Sequence, residues 1–304
     1  MNRAGRFGLS GSGAALQCYA VVMHPSVIIS DLDGTLLGPS GAVSNGNLAA
    51  VSELAAHGIP FILATGRSFY ECKFVLDAIP CCLEMIGAAG ALLSDAKTGQ
   101  TLARDALPEE LAVRVTEFIL AEGHLAQLLQ DRSCVAHDYL LVGKGALHPT
   151  MDWWLDLHEL NSHRMPSLEG LDLSHTIRIG VVGGPGELDA LTQRIETMFG
   201  EELVIRHWEA VSKNEDQPTY LLELFNRGVD KWGMIEHVLA RNGLDPKGVV
   251  TIGDGLNDIQ MLHHAPLGIA MGQARTSVQA VANQVVGSNR EDGFAQAIRA
   301  LLRS

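Results

Sequence analysis

Positive charge is scarce in this chain: 22 Lys and Arg stand against 35 Asp and Glu, a formal charge of −13 at pH 7. Gripping a nucleic-acid backbone or an anionic bilayer needs a basic face, so this balance weighs against both as partners and suits a bound divalent cation instead. Long apolar runs are missing as well, and nothing approaches the roughly 20 residues that span a bilayer. Cysteine is sparse: Cys18, Cys72, Cys81, Cys82 and Cys134 form neither an even disulfide framework nor a Cys-x-x-Cys metal pattern. They read as reduced thiols, which makes the cytoplasm the expected location. The 12 histidines include no His-Glu-x-x-His pair, so a zinc hydrolase is disfavoured and they read as surface or packing residues.

What is abundant is apolar residues, 47% of 304, enough to bury the core of one large or two modest domains. The most informative stretch is Val27-Ile28-Ile29-Ser30-Asp31-Leu32-Asp33-Gly34-Thr35, an apolar run that stops at two carboxylates. It reads as a buried strand whose carboxyl end turns at Gly34, the place where open parallel sheets bind ligands. Side chains two apart on a strand share a face, so Asp31 and Asp33 converge if strand geometry persists into the turn. Two such carboxylates repel unless a cation sits between them or one holds a proton, and both situations serve phosphoryl transfer. Asp-x-Asp-Gly also opens a calcium loop, but that loop needs Glu at its twelfth position and residue 42 is Ala.

Residues 1–23 are rich in Gly and Ser and read as a flexible extension. Ser44 is a candidate N-cap for a helix that Gly58 ends, followed by the strand Phe61–Ala64, which stops at Thr65-Gly66-Arg67-Ser68. Strand, helix, strand in this spacing is a βαβ unit, which brings Thr65 near Asp31. Thr65 and the Gly66 amide at a helix start make a phosphate cradle, and Ser68 with Glu71 matches a capping box. Between about residues 92 and 212 the pattern changes to hairpins and two amphipathic helices, a separate α+β unit. Within it, Trp153-Trp154 offers either aromatic surface to a sugar ring or ordinary packing. Core signals return with the strand Tyr220–Leu224 and a helix opened by Lys231, where a cation opposes the helix dipole unless an anion is near. Val249–Ile252 then runs into Gly253-Asp254-Gly255-Leu256-Asn257-Asp258.

These four stretches, in this order, resemble the four motifs of the haloacid dehalogenase superfamily, and the tail Leu267–Gly272 resembles its Cof-type branch. The resemblance implies an α/β fold: a Rossmann-like parallel-sheet core over residues 24–92 and 213–304, with an inserted α+β cap over 93–212. It implies a Mg²⁺-dependent phosphatase of small phosphorylated metabolites, sugar phosphates foremost, acting as monomer or homodimer. Asp31 is then the nucleophile and Asp33 the general acid/base. Leu32, Thr65, Gly66, Lys231 and Asn257 hold the phosphate, and Asp31, Asp33, Asp254 and Asp258 surround the metal. Two positions depart from the branch's pattern, Ala89 and Gln273 standing where Asn is usual. A phosphomutase on the same scaffold and a non-catalytic phospholigand-binding protein are the alternatives.

Overall fold

The computed structural model describes residues 24–210 and 218–303, so the expected N-terminal extension lies outside the described residues. The chain opens as the βαβ unit read from its pattern: β1 (Val27–Ser30), α1 (Asn45–Ala56) and β2 (Phe61–Ala64). Ser44 caps α1, its Oγ accepting from Asn47 N at 3.1 Å. Next come α2 (Phe69–Ala78), β3 (Cys82–Gly87), and the antiparallel pair β4 (Leu92–Asp95) and β5 (Thr101–Arg104). A second body follows, made of α3 (Glu109–Ala121), β6 (Ala126–Gln130), β7 (Tyr139–Val142), α4 (Pro149–Leu157), β8 (Ser162–Met165), β9 (Thr176–Gly183), α5 (Pro185–Phe199), β10 (Leu203–Glu209) and β11 (Tyr220–Asn226). The chain then returns through α6 (Lys231–Asn242), β12 (Val249–Gly253), α7 (Ile259–His264), β13 (Leu267–Ala270), α8 (Thr276–Gln279), β14 (Gln284–Val285) and α9 (Gly293–Leu302).

Among the described residues there are two sheets: eight strands in the order β14-β13-β12-β1-β2-β3-β4-β5, and six in the order β10-β11-β9-β6-β7-β8. In the larger sheet β1 pairs in parallel with both β2 and β12, so the chain order reverses at β1. That is the topological switch point of an open α/β sheet, where a crevice forms at the carboxyl ends of the strands. β1 is buried along its whole length, as expected for a central strand covered on both faces by helices.

Two segments sit on the other side of the expected division. The β4–β5 hairpin extends the larger sheet, although residues from 93 onward were expected in the cap. The strand Tyr220–Asn226, expected in the core, pairs antiparallel with β9 and β10 in the smaller sheet. The physical reason is the same for both: an apolar run specifies a strand but not which sheet supplies its hydrogen-bond partners.

The smaller sheet is built on strict alternation. One face, with Leu128, Leu140, Ile179, Val181, Leu222 and Leu224, packs under α3 and α5. The opposite face turns toward the carboxyl ends of the larger sheet and closes a cavity of about 550 Å³ over them. No helix of the described residues is long and apolar enough to cross a membrane.

Candidate active site

The floor of the cavity is made where β1, β2 and β12 end. Asp31 follows β1 directly, and its amide donates to Ile252 O of β12 at 2.8 Å, which fixes the start of the turn. Lys231, the first residue of α6, is fully buried and donates from Nζ to Asp31 Oδ1 and to Asp258 Oδ1, both at 2.6 Å. A buried ammonium is tolerable only with such partners. Burial works to lower the lysine's pKa, but the charges of Asp258 and Asp31 outweigh it and hold it above the ordinary value. The misfit between cation and helix dipole legible at this position is thus resolved by two carboxylates.

Carboxylate oxygens of Asp31, Asp254 and Asp258 lie within 4.8 Å of one another. Burial pushes Asp31 well above the usual carboxylate range, with Asp258 adding to the shift, and burial likewise raises Asp254 to about 6. Each acid is oriented from behind. Asp254 Oδ1 accepts from Thr35 Oγ1 at 2.8 Å and Oδ2 from Gln273 Nε2 at 3.3 Å. Asp258 Oδ2 accepts from the amides of Asp254 and Gly255 at 3.0 and 2.8 Å. Gly34, at φ +79°, makes this packing possible: a Cβ there would sit 2.2 Å from Asp254 Oδ2.

Mg²⁺ prefers hard oxygen donors, and an all-carboxylate group supported by orienting hydrogen bonds meets that preference. Three acids gathered so closely, with the charges of Asp258 and Asp254 adding to the raised pKa of Asp31, also form the electrostatic situation that a divalent cation relieves.

Asp33 is placed differently from the expectation. Its carboxylate lies on Arg67, with Nε to Oδ2 at 2.9 Å and Nη2 to Oδ1 at 2.5 Å, outside the acidic group. The strand ends at Ser30 and the chain coils through residues 32–36, so the two-residue alternation that would align Asp33 with Asp31 does not carry through. Leu32 is buried in that turn. Thr65 is buried at the end of β2, its Oγ1 accepting from Arg67 N at 3.2 Å, and Thr65, Gly66 and Asn257 line the cavity beside Asp31.

The ceiling is supplied by the smaller sheet. Arg178 of β9 is ion-paired with Glu223 of β11, donates to Tyr139 Oη at 2.6 Å, and reaches Gly66 O of the floor at 3.3 Å. Glu71 of α2 meets the ceiling from below. Its Oε1 accepts from Tyr139 Oη at 2.8 Å and Trp154 Nε1 at 2.7 Å, while Oε2 accepts from Ser68 N at 2.6 Å. Burial works to raise the Glu71 pKa, yet Arg178 and these donors outweigh it and leave the carboxyl below its ordinary value. Arg67 lies 4.9 Å from the Trp154 ring centroid, so one guanidinium touches both Asp33 and the ceiling.

Sequence reasoning missed several of these residues. The capping-box pattern marked Glu71 but not its second task, and Ser68 Oγ itself has no partner among the described residues. Gln273, noted only as a replacement for Asn, donates to Gly34 O at 2.6 Å and accepts from Asn289 N at 3.0 Å, pinning the Asp31–Gly34 turn. Ala89, the other replacement, adopts φ +58°, a left-handed conformation that Asn tolerates better than Ala. Arg178 and Glu223 carried no local signal; only the pairing of β9 with β11 and β6 brings them together.

Residues 28–298 match the family model of haloacid dehalogenase-like hydrolases. A curated 5-amino-6-(5-phospho-D-ribitylamino)uracil phosphatase of Bacillus subtilis is 25% identical over 273 residues, 90% of this chain and 94% of that protein. A pyridoxal phosphate phosphatase of Escherichia coli is 25% identical over 299 residues, 91% of this chain and 98% of that one. Among solved structures, a haloacid dehalogenase-like hydrolase from Bacteroides thetaiotaomicron superposes with a TM-score of 0.76 at 22% identity, covering 91% of this chain and all (100%) of that one.

Proposed function

Because this chain belongs to the family of haloacid dehalogenase-like hydrolases, we propose that it is a Mg²⁺-dependent phosphatase of small phosphorylated metabolites, sugar phosphates and related phospho-alcohols among them, acting through an aspartyl-phosphate on Asp31. The observation that carries this reading is the buried Lys231, shared at 2.6 Å between Asp31 and Asp258 beneath the cavity that Asp31 lines. An ammonium so placed holds the Asp31 carboxylate in one orientation and adds positive charge where phosphoryl oxygens would gather. Both curated relatives described above are named as phosphatases, one of 5-amino-6-(5-phospho-D-ribitylamino)uracil and one of pyridoxal phosphate.

An Asp31 carboxylate oxygen attacks phosphorus in line, and the bond from phosphorus to the ester oxygen breaks. Asp33, released from Arg67 and protonated from solvent as the substrate oxygen takes the guanidinium's place, gives that proton to the departing alkoxide. The same carboxylate then takes a proton from water, which attacks phosphorus and releases phosphate from Asp31. Thr65, the Gly66 amide and Asn257 bind the phosphoryl oxygens, and the ceiling excludes bulk water. Mg²⁺ held by Asp31, Asp254 and Asp258 supplies, when bound, the charge that lets these acids ionise together and that neutralises the phosphoryl group. The division of labour follows the two sheets: the larger one does the chemistry, and the smaller one reads the leaving group.

The test is phosphate release from a panel of phosphorylated metabolites, with Mg²⁺ and with excess chelator. Release that needs the metal supports the reading. Full activity in chelator, or an isomerised sugar phosphate in place of free phosphate, would overturn it.

A further inference from the structure

The cavity face of the smaller sheet is a grid whose rows follow from the strand register. Nearest the floor is the row of Arg178, Leu129 and Tyr139; next come Glu223, Gly180 and Gln127; furthest are Trp208, Leu221 and Val182. Rows two residues apart are separated by roughly 7 Å, so the ceiling extends roughly 13 Å from Arg178 to Val182. Along β9 the cavity therefore meets a charge, then a gap, then an apolar surface. The gap is Gly180.

Nothing local requires glycine there. Gly180 is absent from the residues with positive φ, so no left-handed backbone excludes a side chain. A Cβ built on it meets Gln127 O at 3.5 Å, Leu221 Cδ1 at 3.7 Å and Leu222 O at 3.7 Å, all ordinary contacts. A glycine inside a strand weakens it and commonly marks a place where a ligand or another backbone comes close. The backbone atoms among these contacts, Gln127 O and Leu222 O, belong to the paired strands β6 and β11, and the residue lines the cavity. The polar groups beside it are buried: Gln127 is 4% exposed and Glu223 1%. Glu223 Oε1 is taken by Arg178, whereas Oε2 has no partner among the described residues. An orphaned carboxylate oxygen in such a place costs stability unless something donates to it.

Resting on the phosphatase reading, we propose that Gly180 is a specificity-determining residue that admits a ring-sized leaving group. The ring lies across Gly180 with its apolar face on Val182, Leu221 and Trp208, and a hydroxyl or amino group on its edge donates to Glu223. The substrate class is thus a phosphomonoester of a ring-bearing alcohol with a hydrogen-bond donor, distinguished from short acyclic phosphates. A volume of 550 Å³ falls in the ordinary range for enclosing such a molecule.

The experiment compares kcat/KM of the full chain for pyridoxal phosphate, flavin mononucleotide and a hexose phosphate with that for glycerol phosphate, in wild type, Gly180→Ala and Gly180→Val. Wild type is expected to favour at least one ring-bearing substrate. Gly180→Val, which adds three carbons, should lower the ring-to-glycerol ratio by about tenfold or more, chiefly through KM, and Gly180→Ala, which adds one, by less, since even one carbon in a binding pocket can be worth about tenfold. Gly180→Ala, whose added carbon makes only ordinary contacts, keeps the test usable if the valine variant fails to fold. Glu223→Gln should lower the same ratio. A ratio unchanged in the folded variants, equal losses on both substrate kinds, or a wild type that prefers glycerol phosphate would overturn the proposal while leaving the phosphatase reading intact. A wild type that releases phosphate from no substrate would overturn that reading, and the two failures are therefore distinguishable.

Discussion

The floor and the ceiling of the cavity are built by opposite rules. On the floor each charged group is held by another: Lys231 by Asp31 and Asp258, Asp254 by Thr35 and Gln273, Asp33 by Arg67. These groups arrive from the ends of three parallel strands and the start of α6, and removing Lys231 would strand the buried Asp31 and Asp258. The ceiling is one face of an antiparallel sheet whose other face is committed to apolar packing. Its row nearest the floor is tied there through Arg178, Tyr139 and Glu71, whereas the rows beyond pass to a gap at Gly180 and an apolar surface at Val182 and Leu221. On the proposed function, such a scaffold would fix the reaction in the floor and leave selectivity to the outer rows of the ceiling.

The sharpest way to break this contrast is at Asp31, the proposed nucleophile. Asp31→Asn preserves shape but removes the attacking oxygen's charge, and kcat should fall on the order of 10⁴-fold or more while the fold is retained. Residual activity within tenfold of wild type, measured by phosphate release, would remove Asp31 from that role. Lys231→Met comes next, since it leaves Asp31 and Asp258 buried without their cation; a loss of about 3–5 kcal/mol is expected. Denaturant titration without metal would show it, and Mg²⁺ should restore part of the loss.

At the seam between floor and ceiling the effects are smaller. Glu71→Gln puts an amide where Ser68 N donates, and should cost about 1–3 kcal/mol. Hydrogen exchange should show the loss concentrated around Tyr139 and Trp154. The same carboxylate sets an acid limit. Because Glu71's pKa in the folded chain lies below the ordinary glutamate value of 4.5, its contribution is fully present above that pH and disappears as pH falls through the lowered value. Cap and core should therefore loosen in acid before either sheet melts, read as a change in Trp154 fluorescence ahead of the main transition. Coincident transitions would contradict this.

The smallest effect is expected at Ala89→Gly. Relief of a left-handed alanine gains about 1 kcal/mol, but losing a fully buried methyl costs about 0.8 kcal/mol, so the two nearly cancel. A melting shift of more than about 4 °C would show that one of these effects has been misjudged.

The same contrast explains what was legible in the sequence. Asp31, Thr65, Lys231 and Asp254 each stand at the junction of an apolar strand or helix with a glycine turn, and local pattern alone exposes a polar or charged group in such a place. Lys231 stood out further because a cation at a helix start needs an anion. Asp33 was misplaced because its direction depends on how the chain coils after Ser30, which periodicity cannot give. The strand Tyr220–Asn226 read correctly as a strand, but its assignment to a sheet depends on partners more than 30 residues away in β9. Arg178, Gly180 and Glu223 were invisible for the same reason, since a cross-strand neighbour is a property of register.

The most direct test of the account is to stop the reaction halfway. Rapid acid quench of enzyme mixed with Mg²⁺ and a metabolite phosphate, followed by borohydride reduction and peptide mass analysis, should find homoserine in place of Asp31, the reduced trace of its acyl phosphate, and none in Asp31→Asn. An adduct on another residue, or rapid turnover with no trapped intermediate at any quench time, would contradict it.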